Sequence, residues 1–341
     1  MKKKIIMIGP HPPNIGGIST CIENIENELG KEFEFIKYNT TANNFKIIYK
    51  LYKLLMYPFY AIFSQAKIAH IHTPSYGSFW YNTLYIKISK IFGIKVILHI
   101  HGGAFDRFYF NSKKQRKIKK NIQKADKVIV LSKYWEKVFE KICDKNKITI
   151  IPNSVKLPEK TSKLNTQNVL FVGSDWKRKG VFDIIKTCKI LVNKDKRINF
   201  IIAGTDNNVN IKSEINKEKI TENFKLVGNI SGERKDLLFL KSSVYILPSY
   251  NENMPITILE AMSYGLPIIS TYVGAIPEII KDGYNGYLIK KGDYIDLAKK
   301  IKILINKKDL RKKMGKNALI TIKKRYSNKI IISKMREEYI Q

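Results

Sequence analysis

At 341 residues with 44% apolar content, the chain is ordinary for a globular protein but long for one hydrophobic core, so two domains are expected and disorder is not. Its 62 basic against 29 acidic residues give a net charge of +33. Such a field favours nucleic acid, anionic lipid or diphosphate ligands, although an even richness in Lys, Ile and Asn makes compositional bias an equally plain source.

Other classes are excluded by what is missing. Cys21, Cys143 and Cys188 share no motif, fall in predicted helices and read as free thiols of a reducing cytoplasm. CxxC and HExxH spacings are absent, so no structural or catalytic zinc is expected. No uncharged apolar run reaches about 20 residues, so no spanning helix is expected. The apolar run after Lys2–Lys4 is too short for a signal peptide.

The first predicted strand, Ile5–Gly9, leads through Pro10–Gly17 to a helix beginning near Ser19. Gly16 and Gly17 allow close backbone approach to a ligand, and the helix start offers unpartnered N–H groups; the alternative is a plain tight turn. The pattern is not G-x-G-x-x-G, so dinucleotide binding is unsupported. Phe33–Tyr38 alternates as a second strand. Phe45–Phe63 sets Lys46, Lys50 and Lys53 among aromatic and aliphatic residues, and Pro58 is expected to kink or end that helix. It could lie in a membrane interface or pack on the sheet with its lysine stems along apolar surface. The reading adopted is a helix packed on its domain with an exposed basic-aromatic edge touching anionic lipid.

Strands Lys67–His72 and Val96–His101 follow, separated by Thr73–Tyr76 and a helix over about Ser78–Phe92. All five histidines, His11, His70, His72, His99 and His101, lie in or beside the ends of three strands, where open α/β sheets bind ligands. His70 and His99 are expected as satisfied core residues, His72 and His101 as site candidates. His11, Asn14, Gly16, His72 and Tyr76 are the candidates for an acceptor side. Asp106–Lys120 is basic and aromatic, either a headgroup- or diphosphate-facing surface or a solvated helix face. Lys127–Leu131 is a strand, Ser132 caps a helix over Lys133–Cys143, Ile148–Ile151 is a strand, and polar Lys156–Gln167 reads as a linker.

The second half repeats the alternation: strands Asn168–Gly173, Asn199–Gly204, Phe224–Gly228 and Val244–Leu247, each followed by a helical segment. After Val244–Leu247 comes a polar turn, then a helix from near Pro255 that ends at Gly265–Pro267, then the strand Ile268–Thr271. Glu252 stands in the turn and Glu260 on the helix, with seven residues between them. Between the two carboxylates, the first helical turn offers N–H groups and the positive end of the helix dipole, which suits phosphate. Ionised carboxylates accept hydrogen bonds only and so suit hydroxyls. An anion between two hydroxyl-bearing groups describes a nucleotide sugar: Glu260 on the ribose, the helix start on the diphosphate, Glu252 on the transferred sugar. Pro255 lacks an N–H, so phosphate donors are expected from Met254, Ile256 and Thr257, with Asn253 a further donor-binding candidate. Gly286–Ile289, a helix opened by Asp293 and a helical basic tail over Leu310–Gln341 complete the chain.

The ordered set Glu252, Glu260-Ala261-Met262, Gly265-Leu266-Pro267, Gly274, Pro277-Glu278, Gly283 and Gly286 resembles the retaining glycosyltransferases of family 4, of the bacterial surface-polysaccharide type. The resemblance covers essentially the whole chain and is most specific over Val169–Gly286. It implies the GT-B fold: α/β, two doubly wound parallel-sheet Rossmann-like domains facing across a cleft. The expected domains are residues 1–158, with a helix at about 326–341 crossing back, and residues 165–325. The resemblance further implies that Lys179, before Gly180, meets the donor diphosphate, that His101 before Gly102-Gly103 reaches the donor sugar, and that Gly17 lies across from the diphosphate. Gly173 ends the strand where the family commonly continues with arginine; here Ser174 stands, and Arg178 is the substitute. Asn229 and Ile230 are base-contact candidates.

The expected activity is a metal-independent, retaining transfer from a nucleotide-diphosphate sugar, UDP favoured over GDP, to a hydroxyl of a lipid-linked or oligosaccharide acceptor in surface-polysaccharide synthesis. Catalysis rests on His101, Lys179 and Glu252, with no cofactor, no metal and no specific nucleic acid. The missing secretion signal and the Phe45–Phe63 segment point to a cytoplasmic enzyme on the inner leaflet. The alternatives are a nucleotide-sugar epimerase of the same fold and a non-enzymatic polyanion binder, which would explain the charge but not the paired carboxylates.

Overall fold

The computed structural model describes residues 2–14, 16–41, 46–192, 197–204 and 209–341. They form two compact units, 1–154 with 328–341, and 155–327. Each is built on a six-stranded parallel sheet among the described residues.

In the first unit the strands are β1 (Lys3–Gly9), β2 (Phe33–Asn39), β3 (Ile68–Thr73), β4 (Lys95–Ile100), β5 (Lys127–Val130) and β6 (Ile148–Ile150), ordered β2-β1-β3-β4-β5-β6. Helices α1 (Gly17–Leu29), α2 (Lys46–Phe63), α3 (Gly77–Ile91), α4 (Phe105–Phe110), α5 (Gln115–Ile122) and α6 (Lys133–Phe139) alternate with them. Every strand pair is parallel, and β1, β3 and β4 carry near-continuous buried apolar runs, as a sheet covered on both faces requires. Ser132 accepts from the Trp135 N–H and starts α6, which stops at Phe139 and leaves Cys143 in the turn beyond.

The second unit runs β7 (Asn168–Val172), α7 (Val181–Val192), β8 (Asn199–Ala203), α8 (Val209–Lys217), β9 (Phe224–Gly228), α9 (Gly232–Leu240), β10 (Val244–Leu247), α10 (Ile256–Ser263), β11 (Ile268–Thr271), α11 (Ile276–Ile279) and β12 (Gly286–Ile289). Its strand order is β12-β11-β10-β7-β8-β9. Helices α12 (Tyr294–Asn306) and α13 (Lys308–Arg325) follow. Buried Arg311 ties α13 down by donating to the carbonyls of Leu164, Leu304 and Ile305. The last helix, α14 (Asn328–Ile340), belongs to the first unit. There it rests on α1, Asn328 donates to Glu28, and the Tyr339 carbonyl accepts from Lys3 Nζ at 2.6 Å.

Helix α2 departs from expectation in two ways. It continues unbroken through Pro58. Tyr57, fully buried, packs edge-to-face on Tyr38 and Tyr85 and bonds Ser89 at 2.6 Å, and that anchoring outweighs the one backbone bond a proline removes. Its outward face is apolar rather than basic. Ile47, Ile48, Leu51, Tyr52, Leu55, Phe59, Ile62 and Phe63 are each at least half exposed. Lys50 and Lys53 instead lie over tyrosine rings, Lys53 Nζ 4.8 Å from Tyr38 and Lys50 Nζ 5.5 Å from Tyr81. Phe45 lies outside the described residues.

One glycine holds the second unit's central turn. Gly180 sits at φ +78°, and a Cβ there would be driven into the Pro248 carbonyl oxygen. Gly180→Ala is therefore expected to destabilise the protein by about 2–4 kcal/mol, left-handed strain plus overpacking, measured as a lower urea midpoint.

Candidate functional site

In a doubly wound sheet, ligands bind beyond the carboxyl ends of the strands, where the strand order reverses. In the second unit that point lies between β10 and β7, which pair directly while β11 and β8 continue in opposite directions. Two loops meet there, Gly173–Gly180 after β7 and Pro248–Pro255 after β10, and they carry Gly173, Arg178, Lys179, Glu252, Asn253 and Met254 among the residues singled out from the sequence.

Glu252 is 8% exposed. Its Oε1 receives Arg178 Nη1 and Lys179 Nζ, each at 3.1 Å, and the Ser249 hydroxyl at 3.1 Å. Arg178 also donates through Nε to Asp175 at 2.9 Å and through Nη1 to the Asn251 carbonyl at 2.6 Å, while its own carbonyl accepts from the Tyr250 N–H. Burial works against the Arg178 charge, but Glu252 and Asp175 more than offset it and hold the guanidinium above its ordinary value. The Tyr250 hydroxyl donates to Asp183 at 2.9 Å and fastens the β10 loop to α7. Gly274, at φ +54°, lies so close under this loop that a Cβ would meet the Glu252 carbonyl oxygen. Gly173 underlies the Lys179 side chain in the same way.

Beside this cluster, α10 begins at Ile256 with Pro255 as N-cap and no side chain capping it. Its first N–H groups, Ile256 and Thr257 among them, have no intrahelical partner by construction of the helix. Asn253 and Met254 are buried just ahead of it, and the Asn253 carbonyl accepts from Ala275 N–H at 2.8 Å. One turn along, Glu260 Oε1 takes Lys235 Nζ at 2.6 Å. Its Oε2 is shielded from solvent and has no hydrogen-bond partner among the described residues. Burial pushes the Glu260 carboxyl above its usual range, and Lys235 offsets this only in part. Of the base-contact candidates at the end of β9, Asn229 is exposed and Ile230 is buried.

The first unit gathers the histidines more tightly than the sequence indicated. His72 and His99 are register partners on β3 and β4. The rings of His70 and His99 stack, as do those of His72 and His101, and His72 Nδ1 lies 2.9 Å from His101 Nε2. His72 is 1% exposed and also contacts Met7 Sδ. It is thus as enclosed as His70 and His99, because the sheet face covers it; His101 alone of the four is partly open. His11 is likewise enclosed, between the Gly9 carbonyl and Glu26. Asn14 bonds the His11 carbonyl, Gly16 and Gly17 are exposed at the start of α1, and Tyr76 is exposed against Phe108. Sequence spacing pointed away from metal ligands, yet Cys21 on α1 comes together with His72, His99 and His101. Cys21 was missed because nothing in its own surroundings marks it. Ser249 and Lys235, which hold Glu252 and Glu260, were missed for the same reason.

Two family models match the chain. One described as Glycosyltransferase Family 4 matches residues 16–158, and one described as Glycosyl transferases group 1 matches residues 153–320. The chain belongs to the family 4 glycosyltransferases. It is 28% identical over 188 residues to the capsular polysaccharide biosynthesis glycosyltransferase CapM of Staphylococcus aureus, covering 54% of this chain and 49% of that protein. It is 33% identical over 195 residues to the uncharacterized glycosyltransferase MJ1178 of Methanocaldococcus jannaschii, covering 57% and 53%. The matched stretch spans about half the length of these curated relatives. Among solved structures, sucrose-phosphate synthase of Thermosynechococcus elongatus superposes with a TM-score of 0.85 at 16% identity over 100% of this chain and 99% of that one. Anabaena Alr3699/HepE in complex with UDP-glucose superposes with a TM-score of 0.79 at 16% identity over 98% of each. At such identity the likeness is one of fold, and that fold is GT-B.

The orphaned Glu260 oxygen leads to a test. A carboxyl whose folded pKa lies above its unfolded value costs no stability when both states are protonated, and the cost grows as pH rises through the folded value. Glu260→Gln removes that cost. The variant's stability relative to the native protein is expected to improve as pH rises above the ordinary glutamate range and to level off once Glu260 is ionised in the folded state, read from urea midpoints at each pH. A relative stability that falls with pH would contradict the burial account of Glu260.

Proposed function

We propose that the protein is a retaining, metal-independent glycosyltransferase that moves a sugar from a nucleoside-diphosphate sugar, with UDP favoured, to a hydroxyl of a lipid-linked glycan acceptor. The observation that carries this reading is the convergence of Arg178 and Lys179 on buried Glu252, at the strand-order reversal and beside the open start of α10.

In this reading the diphosphate lies against Lys179, Arg178 and the N–H groups of Met254, Ile256 and Thr257. These are fixed positive ends aimed where leaving-group charge grows, and they supply without a divalent cation the charge that a diphosphate needs. Glu260 Oε2, dry and unpartnered, accepts from a ribose hydroxyl, and Asn229 and Ile230 border the base. Glu252, already oriented by Ser249, holds hydroxyls of the transferred sugar rather than attacking it. The bond from the anomeric carbon to the phosphate oxygen breaks as the acceptor oxygen bonds to the same face. The acceptor proton passes to the departing phosphate, and configuration is retained. In the first unit, burial holds the His101 imidazole down to about 3, so its ring is neutral and available as a hydrogen-bonding group. The complexes of Anabaena Alr3699/HepE with UDP-glucose and of TarM with UDP and alpha-GlcNAc-glycerol support the nucleotide, and CapM supports a polysaccharide product.

The apolar face of α2 is the membrane-seeking element of this reading. No helix among the described residues is long and apolar enough to cross a bilayer. A stripe of exposed Leu, Ile, Tyr and Phe on a chain of charge +33 fits shallow burial in an anionic leaflet on the cytoplasmic side, where a lipid-linked acceptor would be presented.

Two measurements test these assignments. In a metal-free thermal-shift panel of nucleoside diphosphates and their sugars, one base-sugar pair should stabilise the protein, and Lys179→Ala should lower transfer by about 10²–10³-fold, as for loss of one charge-stabilising donor. A shift produced equally by any polyanion would overturn the donor assignment. Sedimentation with anionic vesicles should fall sharply for Leu55→Ser/Phe59→Ser while activity on a water-soluble acceptor is kept; undiminished sedimentation would remove α2 from the membrane contact.

A further inference from the structure

The histidine stack of the first unit contains an arrangement of which the transferase reading uses only His101. Cys21 Sγ and one ring nitrogen each of His72, His99 and His101 all lie within 4.8 Å of one another. Three separate elements bring them there: α1 supplies Cys21, the end of β3 supplies His72, and β4 and its continuation supply His99 and His101 at alternate positions on one face. Four donors around a tetrahedral zinc stand about 3.3–3.6 Å apart, given Zn–N near 2.0 Å and Zn–S near 2.3 Å, so small side-chain adjustments bring these four into range.

The cluster is not satisfied as an ordinary core. His99 Nδ1 is occupied by His70 Nε2 at 3.2 Å, whereas His99 Nε2 is buried with no hydrogen-bond partner among the described residues. A buried imidazole nitrogen left in that state carries a desolvation penalty that a bound cation would remove. The surroundings also resemble the outer shell of a metal centre. The Tyr339 hydroxyl lies 2.6 Å from His70 Nδ1, and His70 in turn fixes the ring of His99, which is how ligating histidines are commonly oriented. Burial keeps all four stacked imidazoles neutral, the form that ligates metal, with His70 and His101 pulled down to about 3. The same burial pushes the Cys21 thiol up to about 12, so in an empty site it keeps its proton. Magnesium and calcium prefer oxygen donors, whereas one thiolate and three imidazoles suit zinc.

We propose that Cys21, His72, His99 and His101 form a four-coordinate zinc site inside the first unit. Binding releases the Cys21 proton to solvent as the thiolate takes its place on the metal, so affinity rises with pH. The proposal does not rest on the transferase reading. The two share His101, which a bound ion would engage, but metal occupancy is measured without any sugar substrate.

The full chain, stripped with a chelator and titrated with Co²⁺, should take up a single equivalent. It should show the visible bands of tetrahedral cobalt together with a near-ultraviolet thiolate-to-cobalt charge-transfer band, both erased by added Zn²⁺. Cys21→Ser should lose the charge-transfer band, and His99→Gln should lower affinity by at least tenfold. A Cys143→Ser/Cys188→Ser double variant leaves all four ligands in place and should retain every band. It keeps the test decisive on folded protein should Cys21→Ser fail to fold. Uptake with only the weak spectrum of octahedral cobalt, a charge-transfer band that disappears in the Cys143/Cys188 double variant, or a charge-transfer band that survives Cys21→Ser would each overturn the site.

Discussion

A carboxylate cannot stay charged in a protein interior without partners, and the second unit is arranged around meeting that requirement at Glu252. Two cations and a hydroxyl converge on one of its oxygens from two different loops. Arg178 reaches it only because its loop folds back through Asp175, and Lys179 only because Gly173 leaves room beneath its stem. The Glu252 backbone is pressed in turn against Gly274. Each of these contacts would be weak evidence of design alone. Together they fix the two loops that meet at the strand-order reversal. Such preorganisation matters because charge that develops in a transition state is best met by groups that need not move.

Glu260 shows the complementary situation. Its neighbour Lys235 satisfies one oxygen, while the other is shielded from solvent and has no hydrogen-bond partner among the described residues. Protein interiors rarely leave a carboxylate oxygen in that state, and where they do, an absent ligand is a natural explanation. The two glutamates thus differ in their partners: Glu252 Oε1 gathers two cations and a hydroxyl, Glu260 Oε1 a single lysine.

Polarity is inverted on α2. Lys50 and Lys53 lie over tyrosine rings, while Ile47, Ile48, Leu51, Leu55 and Ile62 face outward. Burial lowers the Lys53 pKa, yet the cation is still compensated by the π faces around it. A tight cluster of Tyr38, Tyr57, Tyr81 and Tyr85 explains the choice, since it offers ring faces and backbone carbonyls where a plain aliphatic core would have rejected the ammonium groups. What remains outside is therefore the part of the helix that water does not favour.

The sequence by itself determined the strand and helix alternation, because apolar β-branched runs such as Ile5–Ile8 and Val244–Leu247 can be buried on both faces only in a covered parallel sheet. It also determined the Glu252–Glu260 pair and the Lys179-Gly180 turn, since these depend on spacing within a single strand-loop-helix unit. Tertiary structure decided the rest. That Arg178 meets Glu252, that Lys235 meets Glu260, and that Cys21 meets three histidines are encounters between residues 25 or more positions apart, set by which strands pair and in what register. Whether α2 turns its lysines in or out was likewise beyond local periodicity. An amphipathic pattern gives two faces, and only the tyrosines that await it on β2 and α3 select the one that is buried.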